Sequence, residues 1–173
     1  MTQSRRRSLV PWSIAAALAA VLILGRAGGD GKPQFDGAAK ARVQRVVDGD
    51  TVRLAGLGSV RLIGVNTPEV YGHRQCYGPE ASAFTKHVLP RGLEVRYRVG
   101  REAHDRYGRL LAYVWLPDGR LFNRLLAEDG FAVPLTISPN DQLASTFRAA
   151  SADARRAGRG MWARPGCAPP SSG

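Results

Sequence analysis

Residues 60–69 read Val-Arg-Leu-Ile-Gly-Val-Asn-Thr-Pro-Glu, and no other stretch constrains the chain as strongly. Arg61 lies inside an apolar run. Arginine is seldom fully buried without a partner, so the fold must bring it an anion. The run stops at Pro68, which cannot continue a central strand and which drives Thr67 into an extended or turn conformation. Glu69 follows at once. A strand carrying a cation therefore ends in a short loop of amide, hydroxyl, carbonyl and carboxylate oxygens. That is equipment for handling a phosphate together with a divalent metal.

The surrounding pattern is mainly β. Short segments with β-type patterning fall at residues 41–47, 51–54, 59–65, 92–99 and 110–116; 51–54 and 92–99 alternate, and 110–116 is a continuous apolar run. Five such strands suit a small closed sheet. Asp48-Gly49 is a hairpin signal, and Pro117-Asp118-Gly119 is a second turn. Three helices are expected. Residues 79–89 open on Pro-Glu and place Ala83, Phe84, His87 and Val88 on one face. Residues 123–129 end at Gly130. Residues 140–157 carry the stripe Leu143, Phe147, Ala150 and Ala154, with Met161-Trp162 returning to the core. The arginines of this last helix, Arg148, Arg155, Arg156 and Arg159, read most simply as a solvated face. Trp115 and Tyr113 read as core, and His73, His87 and His104 as surface residues without a role.

The 173-residue chain has a formal net charge of +11. Arg5, Arg6, Arg7 and Arg26 precede the first acid, but a basic excess remains beyond them, and it favours polyanions, most simply nucleic acid. Residues 1–27 have a basic start, an uncharged apolar run and small residues at the end, the layout of a signal peptide cut near Ala27. The competing reading is an uncleaved anchor. Either places the remainder outside the cytoplasm: secreted, or anchored facing outward. Residues 28–40 read as a linker, 41–163 as the domain and 164–173 as a Pro/Ser/Gly tail. Two cysteines, Cys76 and Cys167, point to a disulfide in an exported protein. Two free thiols are the alternative, and a zinc site lacks the paired spacing it needs.

Three loops carry the chemistry. Asp48-Gly49-Asp50-Thr51 puts two carboxylates at a tight turn. It and the loop at residues 66–69 lie at the ends of neighbouring strand segments, so they can meet. Asp50, the Asn66 side-chain carbonyl and the Thr67 backbone carbonyl then form a partial oxygen cage, completed by water as Ca²⁺ tolerates. Asp105-Arg106-Tyr107-Gly108-Arg109 opens the next strand. Arg109 aimed at the same place as Arg61 gives two cations on one phosphoryl group.

With these motifs in place, the sequence resembles the staphylococcal-nuclease-like, or thermonuclease, family. The matching stretches are Val-Asp-Gly-Asp-Thr-Val at 47–52, Arg-Leu-Ile-Gly-Val-Asn-Thr-Pro-Glu at 61–69, Tyr-Gly-Pro-Glu-Ala-Ser-Ala-Phe-Thr-Lys at 77–86 and Asp-Arg-Tyr-Gly-Arg at 105–109. The resemblance implies an α+β, mainly β fold, a five-stranded OB-fold barrel with three helices. It implies Ca²⁺-dependent hydrolysis of DNA and RNA. By position, Arg61 and Arg109 stabilise transition-state charge, Glu69 acts as general base or positions the water, Asp50, Asn66 and Thr67 hold the metal, and Arg106 and Tyr107 hold the nucleotide. No protein partner is implied, a monomer is expected, and a membrane matters only if the N-terminal segment stays uncut.

This chain departs from the family pattern in three places. The family's metal-binding aspartate is Asn66 here, which keeps an oxygen ligand but loses a full charge, so weaker Ca²⁺ affinity or another divalent metal is expected. Thr136 and Ser138 stand where the family pattern has base-contacting tyrosines. The loop at residues 70–77 is shorter and contains Cys76. The rival reading is a non-catalytic nucleic-acid-binding OB module. Against it stands Glu69, since a carboxylate beside a phosphate opposes binding unless a metal is present.

Overall fold

The computed structural model describes residues 37–167, 169 and 170; the expected export segment and most of the expected linker lie outside the described residues. The strands are β1 (Ala39–Val46), β2 (Thr51–Leu54), β3 (Gly58–Leu62), β4 (Gly64–Asn66), β5 (Glu94–His104), β6 (Leu110–Trp115) and β7 (Val133–Leu135). The helices are α1 (Gly78–Val88), α2 (Phe122–Glu128) and α3 (Ala144–Arg156), with a short 3₁₀ turn at Gly160–Ala163.

Five strands close into a barrel in the order β1-β2-β3-β6-β5, with β5 pairing back onto β1. The pairings are antiparallel except that of β3 with β6, where Arg61 lies opposite Leu111. This parallel pair sets the buried end of β3 beside the start of β6 and so brings the two arginine-bearing segments together. Alternate strand residues fill the barrel: Val52, Leu54, Val60, Leu62, Val95, Ala112 and Val114 are wholly buried. Leu126, Phe122 and Phe147 seal it from α2 and α3.

The single strand expected over residues 59–65 is two. Gly64 has φ +82°, a left-handed conformation that glycine adopts without cost, and a Cβ there would sit 2.1 Å from the Phe147 ring. The chain turns at this point, and β4 leaves the barrel to pair with β7, which the sequence pattern did not announce. Asn123 braces the break: its amide nitrogen donates to Ile63 O and Ala112 O at 2.9 and 3.2 Å, and its oxygen accepts from Val114 N at 2.9 Å.

Three other local expectations change. The face that α1 buries is Gly78, Ala81, Ser82 and Thr85, while Ala83 and His87 are exposed. Small residues face inward because the helix lies close against the β1–β2 turn, where Thr85 Oγ1 donates to Gly49 O at 2.7 Å. Phe84 is half-buried and stacks on Phe131, ring centroids 4.1 Å apart. The last helix begins at Ala144, not 140, because Asn140 is bonded instead to Glu102 N and O on β5. Arg159 is not a solvated residue: its Nε donates to Glu128 O at 2.7 Å.

Candidate active site

Arg61 finds its anion. Its Nε lies 3.1 Å from Asp50 Oδ1, and the residue is 9% exposed. Nη1 donates to Leu62 O at 2.6 Å and Val65 O at 2.7 Å, and Nη2 to Asn66 Oδ1 at 3.1 Å. A planar guanidinium has five N–H groups, and four now have acceptors. The carbonyls it reaches are those freed by the break at Gly64, so the kink supplies the arginine's socket.

Asp50 is equally occupied. Its Oδ2 accepts from Thr67 N at 2.7 Å and Thr67 Oγ1 at 3.0 Å, and its Oδ1 from Thr51 Oγ1 at 3.2 Å. Gly49 permits this approach, because a Cβ there would lie 2.6 Å from Thr67 Oγ1. Asp48, in the same turn, accepts from Asp50 N at 3.1 Å. Burial, then the charge of Asp50, pushes its carboxyl up to about 6, against bonds from Asp50 N and Thr51 and the attraction of Arg61. Two carboxylates thus crowd one turn.

Arg109 sits in the β5–β6 turn. Its Nε donates to Asp105 Oδ2 at 2.7 Å, and Asp105 Oδ1 accepts from the backbone of Tyr107 and Arg109. Burial works against the Asp105 carboxylate, but these bonds together outweigh it and hold its pKa below the ordinary value. Arg109 Nη1 reaches Thr51 Oγ1 at 3.5 Å. Thr51 therefore links the two arginine systems. Tyr107 is 68% exposed and lies under both Arg106 and Arg109, whose guanidinium carbons are 4.9 and 5.5 Å from its ring centroid.

Arg61, Asp105, Arg106, Tyr107 and Arg109 line one cleft of about 480 Å³, closed on its other side by Leu135, Ile137 and Asn140. Ile137, 59% exposed, takes the place where Thr136 and Ser138 drew attention in the sequence. Ile137 and Asn140 carried no local signal, since the cleft alone joins them to the arginines. Asp50, Asn66 and Thr67 adjoin Arg61 but do not line the cleft, and neither does Glu69. Glu69 is exposed and its backbone is held by Gln75, to which its N–H donates at 2.9 Å. Among the described residues no group of three or more His, Cys, Asp and Glu side chains is arranged to hold a metal. Cys76 and Cys167 are joined in a disulfide, with Cα atoms 5.5 Å apart.

A closed five-stranded barrel brings two arginines to one cleft beside a turn that carries two acids. The model of the staphylococcal nuclease homologue family matches residues 59–164, and the chain belongs to that family. It is 42% identical over 128 residues to the thermonuclease of Staphylococcus intermedius, covering 70% of this chain and 75% of that protein. It is 39% identical over 127 residues to the thermonuclease of Staphylococcus hyicus, covering 70% and 74%. A third relative is the endonuclease YhcR of Bacillus subtilis, 35% identical over 144 residues, of whose length the match covers 12%. These relatives support a nuclease.

Proposed function

We propose that this protein is an exported, metal-dependent nuclease that hydrolyses phosphodiester bonds of DNA and RNA. The observation that carries the reading is the convergence of Arg61 and Arg109 on one cleft, coupled through Thr51 and Asp50. A phosphodiester is anionic and repels nucleophiles, and two guanidinium groups stabilise the extra charge that develops at phosphorus. Arg61 supplies its one remaining Nη2–H, which has no acceptor among the described residues. Arg109 supplies Nη groups whose one hydrogen bond among the described residues is the long contact to Thr51. Glu69 accepts the proton of the attacking water as its oxygen bonds to phosphorus and the P–O bond to the leaving oxygen breaks, and the leaving oxygen takes a proton from solvent. Tyr107 and Ile137 offer apolar faces at the cleft mouth for a base, and Arg106 for a neighbouring phosphate.

A divalent cation fits the donors of Asp50, Asn66 and the Thr67 carbonyl. The support is the crowding of Asp48 beside Asp50: burial and then the charge of Asp50 push the Asp48 carboxyl up, and a nearby cation would offset both. When bound, the metal supplies positive charge to the water and phosphate. Ca²⁺ is the first expectation, at lower affinity than a third carboxylate would give. The disulfide supports an oxidising destination, as expected for a secreted or outward-facing protein. No helix among the described residues is long and apolar enough to cross a membrane.

The test is cleavage of a fluorescent single-stranded DNA, with Ca²⁺ titrated against a chelator and Glu69→Gln run beside the parent. The reading predicts metal-dependent cleavage that collapses in the variant. A folded protein that binds DNA and cleaves none at any metal concentration would return the non-catalytic binding module.

A further inference from the structure

We propose that Gln75 is a positioning residue that aims the Glu69 carboxylate, with the Cys76–Cys167 disulfide as its anchor. The inference rests on the nuclease reading and concerns how its base is held. The Glu69 side chain is exposed and has no hydrogen bond or ion pair among the described residues, so the place it starts from is set by its backbone. That backbone is fixed from both sides. Upstream, Thr67 N is bonded to Asp50, and the ring of buried Pro68 limits rotation. Downstream, Gln75 makes a reciprocal pair: its Oε1 accepts from Glu69 N at 2.9 Å, and its own N donates to Glu69 O at 3.0 Å. Any side chain at Gly78 would meet Glu69 O at 2.4 Å, so α1 begins directly against this peptide.

The strap at residues 70–77 is otherwise held by local backbone bonds, Arg74 N to Gly72 O at 3.1 Å and Gly78 N to Gln75 O at 3.2 Å, and by the Tyr77 ring, 5.6 Å from that of Phe131. Tyr71 donates to Val47 O at 3.2 Å from an exposed position. The long-range tie is its neighbour, since Cys76 is bonded to Cys167, 91 residues away in sequence. The same tail adds an ion pair of Arg164 with Glu80 at 2.9 Å and the Arg164 guanidinium 5.3 Å from the Tyr77 ring centroid. Reducing the disulfide frees Gln75, and Glu69 then samples directions from which it cannot reach the water. A displacement of about 1 Å can cost up to about a hundredfold in rate, so a tenfold loss is a moderate expectation.

The experiment is a double-mutant cycle on the full chain, oxidised, with saturating divalent metal and the same fluorescent DNA under single-turnover conditions. The parent, Gln75→Ala, Glu69→Gln and the double variant are compared, with thermal unfolding recorded for each. Gln75→Ala is expected to lower kcat about tenfold with KM within about twofold, and to change nothing further in the Glu69→Gln background. Reduction of the parent should reproduce the loss, and reduction of Gln75→Ala should add nothing to it. Equal losses from Gln75→Ala in both backgrounds would overturn the positioning role and leave the nuclease reading standing. Full activity of Glu69→Gln would overturn the assignment of Glu69 and this proposal with it.

Discussion

Arg61 and Arg109 bring the same group to the same cleft and are held in opposite ways. Arg61 is buried, paired with buried Asp50 and bonded to two backbone carbonyls and an amide. Its side chain belongs to the barrel as much as to the site. Arg109 has a side chain 31% exposed, tied to one carboxylate of its own turn. It rests on an exposed tyrosine and touches the barrel through one long contact. The fold can lose Arg109 and keep its shape, but without Arg61 it loses the partner of a buried charge. The comparison separates a charge that organises the site from a charge that only serves it.

The sharpest way to break this contrast is Arg61→Gln. Asp50 is left buried without its counter-ion, an imbalance worth about 3–5 kcal/mol, so thermal unfolding should fall steeply and cleavage should vanish with it. Next is Arg109→Gln. Removing one charge-stabilising donor costs about a hundred- to thousandfold in kcat, while the loss of one partly exposed pair should move unfolding by about 1 kcal/mol or less. Equal destabilisation by both substitutions would erase the distinction.

A smaller effect sharpens the hub itself. Asn66→Asp adds a third acid beside Asp48 and Asp50, and the metal concentration giving half-maximal cleavage should fall about tenfold, because ligand charge tunes divalent affinity. Its new charge also faces Arg61 Nη2, where Asn66 now accepts a bond, so stability should not drop. The smallest effect concerns Asp48 in chelator. Its folded pKa, about 6, lies above the ordinary 3.8, so the native state holds a proton that the unfolded chain releases. Folding stability therefore falls as pH rises from 3.8 to about 6. Asp48→Asn should flatten that fall and gain about 1 kcal/mol at pH 7, read by denaturant unfolding across the window.

The same contrast explains what could be read in the sequence. Arg61 announced itself because a cation in an apolar run demands a partner, but that the partner is Asp50 appears only in the fold, because the sequence pointed Arg61 at a phosphate and Asp50 at a metal. Strand and turn chemistry is local, so the barrel strands and the β5–β6 turn could be read from short windows. The split at Gly64 could not, because its cause is Phe147 of α3, and neither could Asn123, whose amide reaches Ile63 from 60 positions away. The face of α1 was misassigned because apolar periodicity marks bulk, while this helix buries small residues to approach the turn at Gly49. The rim of the cleft was half legible: Arg106, Tyr107 and Arg109 share one motif, whereas Ile137 and Asn140 join them through tertiary folding alone.

The most direct measurement is the cleavage rate of Arg109→Gln beside its unfolding temperature, under saturating divalent metal and with the parent as reference. The account predicts a kcat lower by at least about a hundredfold at an unfolding temperature within a few degrees of the parent. A variant that cleaves at the parent rate would contradict it, because the cleft would then work without the cation placed there to serve it.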